Sequence, residues 1–313
     1  MPIISIVIPV YNKTEYIKRA LRSVFSQTVT DFALLVVDDG STDGGGAIVS
    51  GFTDPRLKLI RQENQGVCAA RNTGIAASRT DLIAFLDADD EWYPQFLETI
   101  LRLKEKFPRA GAYATAYKIF YTDGSVKEPD FQFFPAEQQD GIIDNYFKAA
   151  PFIPVSSSSV AVRKNVLEEI GGFPIGETNG EDLDTWLKVA IRHPIAWTRE
   201  WGAIWHNEPR ARYWTGEPQL SKTARRAIEE GMIPADKIKD LQEYVAGCQL
   251  RAAKHCLEGG KRDIALQLLE YARGTRSLSR EWWECWWLAR IPNNLTPRLW
   301  KSLRKIKQIM KQF

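Results

Sequence analysis

The stretch Ile83–Tyr93, IAFLDADDEWY, carries an apolar run straight into Asp87, Asp89 and Asp90, with Glu91 immediately after. Carboxylates crowded in this way repel one another and are costly to hold unless a cation or a cationic ligand joins them. The apolar half reads as a buried strand, so the acids mark its carboxyl end. A positive partner is expected there.

Working outward, ISIVIPV (4–10), FALLVVDDGSTD (32–43), RLKLIRQ (56–62) and DLIAFLDADD (81–90) read as strands. TEYIKRALRSVFSQ (14–27), GVCAARNTGIAAS (66–78) and YPQFLETILRLKEKF (93–107) show helical spacing, with Thr14 as a candidate N-cap. Strands alternating with helices predict an α/β fold: a mixed, mainly parallel sheet flanked by helices, whose ligands lie beyond the carboxyl ends of the strands. The acids ending the second and fourth strands, Asp38, Asp39 and Asp87 to Asp90, fall at those ends. Past Gly111 the pattern changes to strand candidates, AYATAYKIFY (112–121) and PVSSSSVAVR (154–163), around a polar loop. A helix stopped by Gly171 and Gly172 and another opened by Glu181 and Asp182 follow. This divides a main domain, 1–215, into two halves, 1–110, which carries the acids at the strand ends, and 111–215, which is expected to face an acceptor or substrate. Residues 216–292 are expected to form a helical appendage, and 293–313 a basic amphipathic tail.

Composition excludes several classes. With 313 residues, 44% of them hydrophobic and 26% charged, the chain can build a sizeable core. No segment reaches the roughly 18 apolar residues of a spanning helix, and MPIISIVIPVYNK lacks the basic start and cleavage site of a signal peptide. A cytoplasmic protein is expected. Cys68, Cys248, Cys256 and Cys285 have no CxxC spacing, which argues against a zinc site or a disulfide framework. A net charge of +3 does not indicate nucleic acid. The glycines of DGSTDGGG do not follow GxGxxG, which argues against a dinucleotide fold. An EF-hand loop starting at Asp87 would need glycine where Trp92 stands. An aspartyl phosphotransferase usually opens its fold with such a motif and has a small residue where Glu91 stands. A merely solvated acidic loop is the remaining alternative.

Taken in order, SIVIPVYNKTEYIKRALRSVFSQT, LLVVDDGSTDGG, NQGVCAARNTGIAAS, IAFLDADDEWYP and GGFPIGETNGEDLDTWLKVA resemble the family 2 glycosyltransferases, inverting enzymes with the GT-A fold. The resemblance covers about residues 1 to 210 and implies that the positive partner is Mg²⁺ or Mn²⁺ carrying the diphosphate of a nucleotide sugar. It assigns Asp87 to the ribose, Asp89 to the metal, and Asp39 to the pyrimidine base, which favours uridine. Pro9, Tyr11 and Asn12 would form the lip of the base pocket, and Arg71 would approach the nucleotide. Asp182, in the Glu181-Asp182 pair, would be the base that deprotonates the acceptor, and His206 would complete the metal site. The serine usual soon after that histidine is absent from HNEPRARYW.

Each assignment has a plainer counterpart. Asp43 can end a turn, Asn12 or Thr14 can cap a helix, and Arg71 can pair with a local carboxylate. Glu181 and Asp182 can favour a helix N-terminus through its dipole. Trp201 and Trp205 can be core or a sugar platform. The resemblance implies a metal-dependent transferase acting on a glycan or lipid-linked acceptor in surface polysaccharide or glycolipid assembly. Its rival is a catalytically silent sugar-nucleotide-binding or scaffolding protein. On a helix from Pro297, Leu299, Leu303, Ile306, Met310 and Phe313 share one face, while six cations and no acid fill the rest. That pattern suits an anionic membrane surface, a docked helix or a coiled-coil seam.

Overall fold

Ile4–Val10 (β1) is buried along its whole length, as a strand paired on both edges and covered on both faces must be. In this computed structural model, which describes residues 2–129, 131, 133–149, 153–177, 179–207, 217–273 and 279–291, β1 lies between two parallel neighbours. These are Phe32–Asp38 (β2) and Leu82–Phe85 (β4), and Leu57–Arg61 (β3) extends the parallel set beyond β2. Past β4 the sheet turns antiparallel through Val160–Arg163 (β9), which joins it to Ala112–Tyr121 (β6). Ile195–Asn207 (β10) then runs parallel to β6, and Glu91–Trp92 (β5) closes that edge, giving the order β3-β2-β1-β4-β9-β6-β10-β5. Val126–Lys127 (β7) and Asp140–Ile142 (β8) pair with β6 and β10. The architecture is the expected α/β one.

Helices cover this sheet: Ile17–Phe25 (α1), Gly45–Ser50 (α2), Val67–Ala77 (α3), Phe96–Lys106 (α4), Tyr146–Ala149 (α5), Lys164–Glu169 (α6) and Glu181–Arg192 (α7). Helix α1 buries Ile17, Ala20, Leu21 and Val24, the face its spacing predicts. Helix α3 approaches β1 closely because Gly74 has no side chain: a Cβ there would stand 2.4 Å from Val7 Cγ1. That approach sets the depth at which Arg71, one turn earlier, enters the sheet edge.

Three sequence expectations are corrected. Thr14 does not cap α1; its N–H and hydroxyl bind Asp43, and the helix starts after Tyr16 without a side-chain cap. PVSSSSVAVR is a strand only from Val160, because Ser156–Ser159 close a turn through the Ser159 N–H to the Ser156 carbonyl at 3.1 Å. Strand β10 has no counterpart in the sequence reading, since register shifts between Thr198, Trp201 and Ala203 break its alternation.

Two compact units divide the chain: Met1–Glu177 with Glu181–Pro209, and Thr178–Gly180 with Arg210–Phe313. The second contains Gln219–Glu229 (α8), Ile238–Glu258 (α9), Arg262–Tyr271 (α10) and Ser279–Leu288 (α11). Leu250, Ala253, Cys256, Leu257, Leu268, Leu269, Cys285 and Leu288 form its core. All four cysteines are buried free thiols, and burial, followed by the charge of Glu181, pushes the Cys68 thiol up to about 12. No helix among the described residues is long and apolar enough to cross a membrane. The basic tail, 293–313, lies outside the described residues.

The contact between α3 and β1 is testable. An alanine in a helix interior ordinarily gains about 1 kcal/mol over glycine. Gly74→Ala is expected instead to lose stability, by about 1–3 kcal/mol from overpacking against Val7. Urea denaturation measures this, and a stabilised variant would refute the close approach.

Candidate active site

Strands β1, β2 and β4 end together because they are parallel and in register: Val10 lies opposite Asp38, and Val7 opposite Phe85. The loops that follow meet at this edge. Asn12, with φ 51°, receives the Thr42 N–H on its Oδ1 at 2.9 Å and donates its own N–H to Ser41 Oγ. Thr14 accepts no helix role because Asp43 Oδ2 holds its N–H at 2.8 Å. The loops after β1 and β2 are thus stitched into one rim, with Pro9 buried in β1 and Tyr11 43% exposed at the lip.

Asp39, 2% exposed, folds the loop before α3 around itself. Its Oδ1 accepts from Gln62 Nε2 at 2.7 Å and the Gln65 N–H at 3.0 Å, and its Oδ2 accepts from the Gly66 N–H at 2.8 Å. A carboxylate offers about four acceptor positions, so there is room for one further donor.

Arg71 is 2% exposed and reaches two acids from different elements. One nitrogen donates to Asp87 Oδ1 at 2.7 Å and the other to Glu181 Oε1 at 3.0 Å. Burial alone would lower its pKa, but the charges of Asp87 and Glu181 more than reverse this and hold the guanidinium above its ordinary value. The Phe173 ring lies 4.9 Å from the guanidinium carbon. Phe173 is positioned by Asn72, whose side chain exchanges two 2.9 Å hydrogen bonds with its backbone. Gly172 permits this with φ 69°, where a Cβ would stand 2.5 Å from Asn72 Oδ1. The plainer reading of Arg71, pairing with carboxylates, is the one its geometry displays.

The remaining aspartates have separate partners. Asp89, 1% exposed, holds Lys13 Nζ at 2.6 Å on Oδ2, and its backbone carbonyl accepts from Arg19. Asp90, 3% exposed, accepts from Ser158 Oγ and from the His206 N–H at 2.9 Å. Burial, then the charges of Asp89 and Asp87, push its carboxyl well above the usual range. His206 Nε2 lies 2.9 Å from Glu91 Oε1, and the Glu91 carboxyl is lowered chiefly by that hydrogen bond. Trp201 and Trp205 are half-buried against Phe131 and Tyr117 respectively.

Asp182 stands apart from these pairs. It opens α7, its Oδ1 accepts the Leu183 N–H at 2.8 Å, and among the described residues it makes no ion pair. Burial, and then the charge of Glu181, push its carboxyl up to about 7, with Arg71 pulling the other way. A carboxylate poised there can accept a proton near neutral pH. The structure therefore joins Asp87, Arg71, Glu181 and Asp182 in one electrostatic unit. It does not join His206 to Asp89: among the described residues no three His, Cys, Asp or Glu side chains form a metal-binding group. A hard divalent ion could still be held by Asp89 together with a ligand's phosphates and water. Sequence reasoning missed Lys13, Arg19 and Ser158. A cation three residues past β1 and a run of four serines were the only signals.

The Glycosyl transferase family 2 profile matches residues 5–171. An uncharacterized glycosyltransferase of Nostoc sp. is 35% identical over 179 residues, 55% of this chain and 53% of that protein. Glycosyltransferase AglE of Haloferax volcanii is 34% identical over 203 residues, 61% of this chain and 62% of AglE. The chain thus spans about half to three-fifths of the length of these two relatives. In fold it is similar to S. aureus TarS 1-349, solved in complex with UDP-GlcNAc, at a TM-score of 0.63 and 16% identity. That likeness covers 92% of this chain and 90% of the TarS chain.

Breaking the Arg71 clamp leaves Asp87 and Glu181 without their shared cation. Arg71→Met is expected to cost about 3–5 kcal/mol in urea denaturation, the range for removing one partner of a buried pair. Arg71→Lys should recover only part, because an ammonium lacks the fork that reaches both acids. A loss below about 1 kcal/mol would show that the clamp does not hold the site.

Proposed function

The chain belongs to glycosyl transferase family 2, and we propose that it transfers one sugar, with inversion, from a nucleoside-diphosphate sugar to an acceptor hydroxyl. The observation that carries this reading is Asp182, a carboxyl pushed up to about 7 beside the Arg71 clamp. In the reaction Asp182 takes the proton of the acceptor hydroxyl. The acceptor oxygen forms its bond to the anomeric carbon from the face opposite the leaving group. The bond from that carbon to the phosphate oxygen breaks, and its electron pair leaves on the nucleoside diphosphate. Glu181 holds the start of α7 through Arg71 and raises the basicity of its neighbour.

For the donor we propose a uridine nucleotide. Asp39 would offer its remaining acceptor position to the base, with Pro9, Tyr11 and Asn12 as the lip and Asp87 toward the ribose. The UDP-GlcNAc held by the TarS chain supports this donor class. A Mg²⁺ or Mn²⁺ held by Asp89, with His206 turned from Glu91, would neutralise charge on the leaving diphosphate. Lys13 would then have to give up its place on Asp89. The acceptor we take to be a glycan or lipid-linked saccharide of surface polysaccharide or glycolipid assembly, met at the cytoplasmic face of a membrane. The neutralised Asp89 is the one observation that favours a silent binding protein of this fold, and turnover separates the two.

Asp182→Asn is expected to slow transfer on the order of 10²-fold or more while calorimetry finds nucleotide affinity nearly unchanged. The base works deprotonated, so the wild-type rate should rise with pH through about 7 and the variant should lack that limb. Affinity falling in step with rate would make Asp182 a binding residue instead. Separately, chelator should remove most turnover, Mg²⁺ or Mn²⁺ should restore it, and Asp89→Asn should lose most activity with an unchanged circular dichroism spectrum. Full turnover in excess chelator would refute the metal.

A further inference from the structure

Helix α11, SREWWECWWL, has four tryptophans in ten residues, and the proposed chemistry uses none of them. Two are tied to the unit's own core. Trp282 donates its indole N–H to the Leu269 carbonyl at 2.8 Å, and Trp282 and Trp286 pack on the cluster that holds Cys285 and Leu288. The other two point away from it. Trp283 and Trp287, one helical turn apart, are 53% and 65% exposed. Leaving two large aromatic faces in water is unfavourable, and such exposure marks a surface that something covers.

The chemistry beside the pair narrows what covers it. A groove of about 490 Å³ is lined by Trp282, Trp283, Trp286 and Ser279 together with Arg273, Arg290 and one acid, Glu270, which lies 3.7 Å from Arg273 and, among the described residues, leaves Arg290 as the groove's unmatched cation. The Arg290 guanidinium carbon stacks 3.8 Å from the Trp286 ring centre. Amphipathic indoles with guanidinium groups among them match the headgroup level of a bilayer, where apolar and phosphate-bearing layers meet. The sequence that follows adds a sign: residues 292–313 contain six cations, Arg298, Lys301, Arg304, Lys305, Lys307 and Lys311, and no acid. A second copy of the chain would carry the same run of positive charge, and a neutral saccharide would have no use for it. An anionic lipid surface satisfies both the indoles and the charge.

We propose that the Trp283–Trp287 face of α11 docks into the headgroup layer of an anionic phospholipid bilayer, with the cationic segment 297–313 supplying the attraction that brings it there. The inference deepens the membrane element of the proposed function but does not depend on sugar transfer. Binding without turnover would leave it standing, and turnover without binding would overturn it alone.

The test uses the full chain with vesicles of phosphatidylcholine and phosphatidylglycerol in equal parts, and vesicles of phosphatidylcholine alone. The protein should sediment with the first and hardly with the second. Trp283→Ser/Trp287→Ser should lower the partition coefficient roughly tenfold while donor turnover and circular dichroism stay unchanged. A chain ending at Asn294 should lose the salt-sensitive part of binding. Because the cationic segment carries Trp300, quenching is read in a Trp300→Phe background, where brominated phosphatidylglycerol should still quench the tryptophan fluorescence. Trp283→Phe/Trp287→Phe should keep sedimentation and lose most of that quenching. The proposal is overturned if the serine variant sediments like wild type, or if the phenylalanine variant is quenched as fully. It is also overturned if lipid-free ultracentrifugation shows a dimer that the serine variant cannot form.

Discussion

A guanidinium withdrawn from water loses hydration worth several kcal/mol, and only close, well-aligned carboxylates offset that loss. Arg71 meets the condition twice, through Asp87 after β4 and Glu181 at the start of α7. Those acids stand far apart in the chain, 16 and 110 residues from Arg71. The fork of one side chain therefore fixes the strand end against the helix start. The local sequence is arranged around this: Gly74 lets α3 come close, and Gly172 with Asn72 brings Phe173 under the guanidinium face.

The other acids at the sheet edge are held one by one, each by different means. Backbone and amide N–H groups satisfy Asp39, the ammonium of Lys13 satisfies Asp89, and Glu91 has His206. Asp90 is held by a hydroxyl and a backbone N–H in a buried place that disfavours its charge. Asp182 has one N–H, from Leu183, and a negative neighbour. Burial first and Glu181 second raise its pKa, and Arg71 pulls against both, so its basicity also depends on where Arg71 is held.

The sheet was legible because strands buried on both faces read as unbroken apolar runs: ISIVIPV, FALLVVD and LIAF each became a strand. Helices α1, α3 and α4 were legible from their helical spacing. The acids at the strand ends, and Glu181-Asp182 at a helix start, could be placed for the same reason. What could not be read was pairing across the chain. Lys13 meets Asp89 across 76 residues and Asp90 meets the His206 backbone across 116, and no local pattern carries such contacts. Strand β10 was hidden by its bulges, and the serine run by its resemblance to a strand. The resemblance assigns His206 to the metal, while its contact with Glu91, opposite Ile204 across the β5–β10 pair, is again one that no local pattern carries.

Two cations that pair with the aspartates, Arg71 and Lys13, differ in how firmly they are held. Arg71 is 2% exposed, spans two carboxylates and rests on an aromatic ring, so removing it would strand two partly buried charges. The Lys13 side chain is 23% exposed and holds one oxygen of one carboxylate from a flexible stem. A ligand that brings negative charge to this edge can draw the ammonium toward itself at little cost, since the stem can turn into water. It cannot draw the guanidinium without breaking the junction between β4 and α7. The edge thus combines a fixed counter-charge that sets geometry with an exchangeable one at Asp89, the position where an incoming cation would have to compete.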